Sequence, residues 1–124
     1  MKRVLLVDDD PTCNFICTKC LETLGTVQSS VALNGKQALD FLLDYKRHPL
    51  PDVILLDLNM PVMGGFEFLN AFRELRIPGQ AKVQIVILSS SDDAVDIRKA
   101  GEMGIHHYIT KPVSADKLGK VIQA

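Results

Sequence analysis

The stretch Val53-Ile54-Leu55-Leu56-Asp57-Leu58-Asn59-Met60-Pro61 begins with four apolar residues and turns polar at Asp57. It shows no alternation of polar and apolar positions, as expected of a strand covered on both faces of a parallel sheet. Asp57 would then stand at the carboxyl end of that strand. A charged carboxylate there is costly unless something partners it. Similar runs lie to either side: RVLLV (Arg3–Val7), VQSSV (Val27–Val31), VQIVIL (Val83–Leu88) and HYI (His107–Ile109). Three of the five runs lack strict alternation.

Helical patterns separate these runs. Asp10 can cap a first helix with Pro11 at its first position and Gly25 beyond its last turn. The stripe Cys13, Ile16, Cys17, Cys20, Leu21, Leu24 keeps helical spacing. Asn34 opens a second helix with Ala38, Leu39 and Leu42 inward. A third follows Gly64-Gly65 through Phe68, Leu69, Phe72 and Leu75 and stops at Pro78-Gly79. Ser91 starts a fourth, and Ser114 caps a fifth containing Leu118, Val121 and Ile122. Five β-α units with short connections predict an open, doubly wound α/β sandwich forming one domain over residues 1–124.

Composition narrows the function classes. With 124 residues, 47% hydrophobic and 23% charged, the chain has the makeup of a globular domain with a real core. Lys plus Arg is 14 against 15 for Asp plus Glu, so no single-sign field points to nucleic acid or an anionic membrane. No apolar run reaches membrane-spanning length, and MKRVLLVDDD turns acidic too early for a signal peptide. Three cysteines make no disulfide framework. The cytoplasm is the expected compartment.

In an open parallel sheet, ligands bind beyond the carboxyl ends of the strands. After the first strand come Asp8 and Asp9, and the third ends in Asp57 and Asn59. The fourth ends in Ser89, Ser90 and Ser91, and the fifth in Thr110, Lys111 and Pro112. Any one polar residue at a strand end is ordinary. Three carboxylates, a hydroxyl and an ammonium delivered to one edge are not. Close carboxylates cannot all stay charged without a counterion. Mg²⁺, which takes oxygen ligands and keeps some of its waters, suits two carboxylates and a backbone carbonyl. Lys111 adds a point charge for an anion, so a cation and a phosphate group are expected together, with Asp57 as nucleophile.

At these residues the chain resembles the receiver domain of two-component response regulators, along essentially its whole length. VLLVDDDP matches the acidic end of that family's first strand, and VILLDLNMPVMGG its phosphoacceptor segment. VILSSS stands at its switch Ser/Thr, and HYITKP at its aromatic and Lys-Pro. The resemblance implies a flavodoxin-like (βα)5 sandwich with a five-stranded sheet of order 2-1-3-4-5. It implies Asp57 as phosphoacceptor, and Mg²⁺ held by Asp9, Asp8, Asp57 and the Asn59 backbone carbonyl. Ser89 would bond the phosphoryl group, with Ser90 the alternative, and Lys111 would pair with it. Tyr108 would turn inward as Ser89 moves, and the Lys111-Pro112 bond would be cis. The implied donor is a sensor histidine kinase or a histidine phosphotransfer protein. The implied output is a downstream protein at the face of helix four, strand five and helix five, from a monomer or weak dimer. Pro61, Gly64 and Gly65 would wrap the loop around the site, and Asn59 and Ser91 would tune decay of the phosphoryl group.

Such a chain labels itself and is not a turnover enzyme. The enzyme alternative is a Mg²⁺-dependent aspartate-nucleophile phosphatase of the haloacid dehalogenase type. Those enzymes carry a DxD nucleophile after the first strand, where VDDDPT stands here. A flavodoxin-like electron carrier would need a phosphate-cradling loop in place of three acids. Cys13, Cys17 and Cys20 have the C-x3-C-x2-C spacing of radical S-adenosylmethionine enzymes, but they fall on an amphipathic helix as small hydrophobes. His106 and His107 are expected to flank the last strand, without a metal.

Overall fold

The structure, a computed structural model, describes residues 2–25, 27–58, 60, 62–89 and 94–122. Strands β1 (Lys2–Val7), β2 (Val27–Ala32), β3 (Val53–Asp57), β4 (Gln84–Ser89) and β5 (His107–Thr110) alternate with five helices. These are α1 (Pro11–Leu24), α2 (Gly35–Leu43), α3 (Gly65–Glu74), α4 (Ala94–Glu102) and α5 (Ala115–Ile122). The sheet is wholly parallel, in the order β2-β1-β3-β4-β5. The strand order reverses direction between β1 and β3, which opens a crevice at their carboxyl ends.

All five residues of β3 are buried. Successive side chains point to opposite faces and each face has its own core. Ile54 and Leu56 pack with Leu5, Val7, Ala38, Leu42 and Phe68 on the side of α2 and α3. Val53 and Leu55 pack with Val4, Leu6, Cys17, Leu21 and Leu118 on the side of α1 and α5. Burying each of these aliphatic side chains contributes about 1.5–3 kcal/mol, so β3 is the firmest element on which to hang a side chain. No helix among the described residues is long and apolar enough to cross a membrane.

The expected helix signals operate with two differences. Asp10 accepts from the Thr12 N–H at 3.0 Å, Asn34 from Gln37 at 2.9 Å and Ser114 from Lys117 at 3.2 Å; Gly25 closes α1 at φ 75°. Ile16 does not join the inward stripe of α1 but is exposed, and Asn14 is buried in its stead. Helix α3 stops at Glu74, before Leu75 and well before Pro78. The Phe72 carbonyl, left open at that helix end, accepts from the Leu75 N–H and from the Gln80 side chain at 2.6 Å. A short 3-10 turn, Gln80–Lys82, follows. Ser91, expected to open the fourth helix, lies outside the described residues, and α4 begins at Ala94.

Candidate functional site

The carboxyl ends of β1 and β3 bring Asp8, Asp9 and Asp57 together. One carboxylate oxygen from each lies within 4.8 Å of the others. Asp8 is 1% exposed and Asp57 7%, while Asp9 faces solvent. Two of the three acids are therefore largely withdrawn from water and depend on protein groups or an ion for neutralisation.

Lys111, beyond the end of β5, supplies part of it. Its Nζ donates to Asp8 Oδ2 at 3.0 Å and stands 4.0 Å from Asp57 Oδ2. The Lys111 N–H donates to the Ser89 carbonyl at 2.7 Å, and the Lys111-Pro112 peptide is cis, as expected. Burial pushes the Asp8 carboxyl upward, but the Asp10 N–H, the Cys13 thiol and Lys111 outweigh it and hold the group below its usual range. Burial likewise opposes charge on Lys111, and the neighbouring Asp8 and Asp57 more than reverse this, raising it above its usual value.

Sequence reading missed two residues that fix the Asp8 segment. The Asn14 side chain donates to the Asp8 carbonyl at 2.9 Å, and the Asp10 N–H donates to Asp8 Oδ1 at 3.0 Å. Asn14 had a readable signal: it stands three residues before Cys17 and seven before Leu21, on the buried stripe of α1. A polar residue at such a position needs a partner. Cys13, taken only as a hydrophobe, also reaches the Asp8 carboxylate with its thiol.

The loop after β3 is tightly held. A Cβ built on Gly65 would lie 2.7 Å from Leu58 Cα and 2.8 Å from the Asp57 carbonyl oxygen. Only glycine lets α3 start against the strand end, with its N–H on the Leu58 carbonyl at 3.1 Å. Gly35 of α2 pins the same loop through the Met63 carbonyl at 3.0 Å. Asn59 and Pro61 lie outside the described residues, as do Ser90 and Ser91. Ser89 ends β4 half-buried, level with Thr110 of β5. Tyr108 points outward, 46% exposed, beside a cavity of about 100 Å³ between β4, α4 and β5 whose lining includes Ser89 and Ile97. His106 and His107 lie at the other end of β5 from Lys111, away from the acids.

The set of hard oxygen donors fits Mg²⁺: three carboxylates converge, two of them sheltered, with no sulfur or imidazole among them. A sequence profile of the response regulator receiver domain matches residues 4–123. The chain belongs to this receiver family. It is 30% identical to the probable chemotaxis protein CheY of Rhizobium etli over 98% of this chain and 90% of that one. It is 34% identical to hybrid signal transduction histidine kinase I of Dictyostelium discoideum, over 95% of this chain but 7% of that protein. Among solved structures, a two-component response regulator from Cytophaga hutchinsonii superposes with a TM-score of 0.87 at 30% identity, covering 98% of this chain and 93% of that one. The chain is thus a signalling receiver domain of the kind found nearly alone and within much longer proteins. Nothing favours the phosphatase alternative.

Proposed function

We propose that residues 1–124 form one receiver domain in which Asp57 accepts a phosphoryl group from a histidine kinase or histidine phosphotransfer protein. Asp8, Asp9 and Asp57, with the backbone carbonyl of Asn59, would hold Mg²⁺, which when bound neutralises charge on the phosphoryl oxygens. The observation that carries this reading is the gathering of three carboxylates within 4.8 Å of one another, with one ammonium 3.0 Å from Asp8 and 4.0 Å from Asp57.

An Asp57 carboxylate oxygen attacks phosphorus, and the donor's P–N bond breaks. The imidazole, protonated on its phosphoryl-free nitrogen and hence cationic in the donor, leaves with the electron pair as neutral histidine. Phosphoryl transfer asks for position and charge compensation more than for a general base, and β3 gives Asp57 a rigid, dry seat. Lys111 is within reach of an anion carried on Asp57, and the Ser89 hydroxyl donates to it from the end of the neighbouring strand. The product is an acyl phosphate, open to attack by water, so the signal decays without a second protein.

Movement of Ser89 toward that group would open the way for Tyr108 into the adjoining cavity. The surface of α4, β5 and α5 changes, and a downstream partner reads the change as a shift in population. A small phosphodonor tests the acceptor chemistry. Intact mass should show one phosphoryl adduct that requires Mg²⁺ and is missing from Asp57→Asn. Equal labelling of both chains would reject Asp57.

A further inference from the structure

Strand β4 lies between β3 and β5, yet Ile85 in its first half is only half-buried. The cause is the early end of α3 at Glu74 together with the short α4, of which Ala100 alone among its described residues is buried. The sheet is left uncovered at the end opposite the acids. A groove of about 720 Å³ opens there, a size typical of ligand sites. Its floor is apolar, made by Leu69, Phe72, Ile77, Ile85, Met103 and Ile105. Its charged and titratable lining is Arg73, His106 and His107, with no carboxylate among the lining residues. The Gln80 side chain, held by the Phe72 carbonyl and the Ile77 N–H, fixes one wall.

We infer that this groove is a binding site for a small amphipathic anion, an aliphatic chain ending in a carboxylate. The floor covers the chain, and Arg73, the one permanently charged residue of the lining, selects the head group. Arg73 is exposed and carries no ion pair among the described residues, so its guanidinium is available to a carboxylate in bidentate geometry.

The site has a route to the switch. Ile105, His106 and His107 line both this groove and the smaller cavity beside Tyr108. A ligand seated against them holds the connection from α4 to β5 and thereby biases where the Tyr108 ring rests. This coupling rests on the switch reading above; the binding does not. A ligand can shift that equilibrium only by its preference for one of the two arrangements.

Decanoate, kept below its micellar concentration, is the probe, followed by backbone and Tyr ring NMR on the whole chain. Saturable shifts at Ile85, Met103 and Ile105, with a smaller shift at Tyr108, are expected. Arg73→Glu, at an exposed site, should weaken binding by about tenfold or more while leaving the rest of the spectrum unchanged. Decylammonium should bind no better than decanoate binds to that variant. Asp57→Asn should bind decanoate as the parent does, so loss of the phosphoacceptor reading and loss of this one are separable. Equal affinity for decanoate and decylammonium, indifference to Arg73→Glu, or shifts only at other residues would overturn the proposal. Shifts confined to the groove would overturn the coupling alone.

Discussion

Lys111→Met removes the ammonium that lies against the two buried acids. At an effective dielectric of about 20, the 3.0 Å contact to Asp8 and the 4.0 Å approach to Asp57 correspond to roughly 5 and 4 kcal/mol of gross attraction. Part of this is offset by the cost of desolvating the ammonium, which the methionine avoids. The stranded carboxylates also have an escape, since one of them can take a proton. Doing so at neutral pH from an ordinary aspartate value costs about 4 kcal/mol, which caps the loss. The variant should therefore lose about 3–4 kcal/mol at pH 7, the usual result of deleting one partner of a buried pair. Urea unfolding checks it. With a slope of about 2 kcal/mol/M, the midpoint should fall by roughly 1.5–2 M in metal-free buffer. Added Mg²⁺ should restore the midpoint in proportion to the logarithm of its concentration. A loss below about 1 kcal/mol, or no recovery with Mg²⁺, would refute the view that Asp8 and Asp57 depend on a cation.

Three further outcomes follow from local geometry. Because Asp8 is lowered, its stabilisation is present above its usual value of 3.8 and is lost as pH falls through the lower folded value. Lys111 is raised, so its contribution holds below 10.5 and is lost as pH rises beyond it. Metal-free stability should thus form a plateau between these limits, and a maximum at either edge in pH-dependent urea titrations would contradict the pairing. Gly65→Ala should cost about 1–3 kcal/mol in thermal or urea unfolding, because its methyl meets the Leu58 and Asp57 backbone; a neutral effect would mean the loop yields freely. Burial pushes Cys17 up to about 11 and Cys13 further, so brief iodoacetamide treatment at pH 8 should spare both and label Cys20, as read by peptide mass. Prior labelling of Cys17 would deny its burial.

Much of this was legible in the chain because the signals were physically strong. The unbroken apolar run before Asp57 has the length and pattern of a two-sided strand, and Pro11, Gly25 and Asn34 punctuated helices as their backbone chemistry requires. The convergence of Asp8, Asp9, Asp57 and Lys111 followed from placing each at a strand end. What escaped was tertiary. Ile16 has the spacing of a core residue but is exposed, and Asn14 instead turns inward and donates to the Asp8 carbonyl. The end of α3 was set by Gln80, eight residues away from the carbonyl that it satisfies. No local pattern near Leu75 could reveal that partner. The nearer attachment of Lys111 to Asp8 than to Asp57 depends on side-chain distances that spacing does not encode.

The chemical identity of the phosphorylated side chain is the most direct question to put to this molecule. Borohydride reduces an aspartyl phosphate to homoserine and leaves free carboxylates untouched. Treating the chain with a small phosphodonor and Mg²⁺, reducing it and sequencing its peptides should place homoserine at position 57 and leave Asp8 and Asp9 as aspartate. Homoserine at position 8 or 9, or a phosphoryl group that survives reduction on a histidine or serine, would contradict the account.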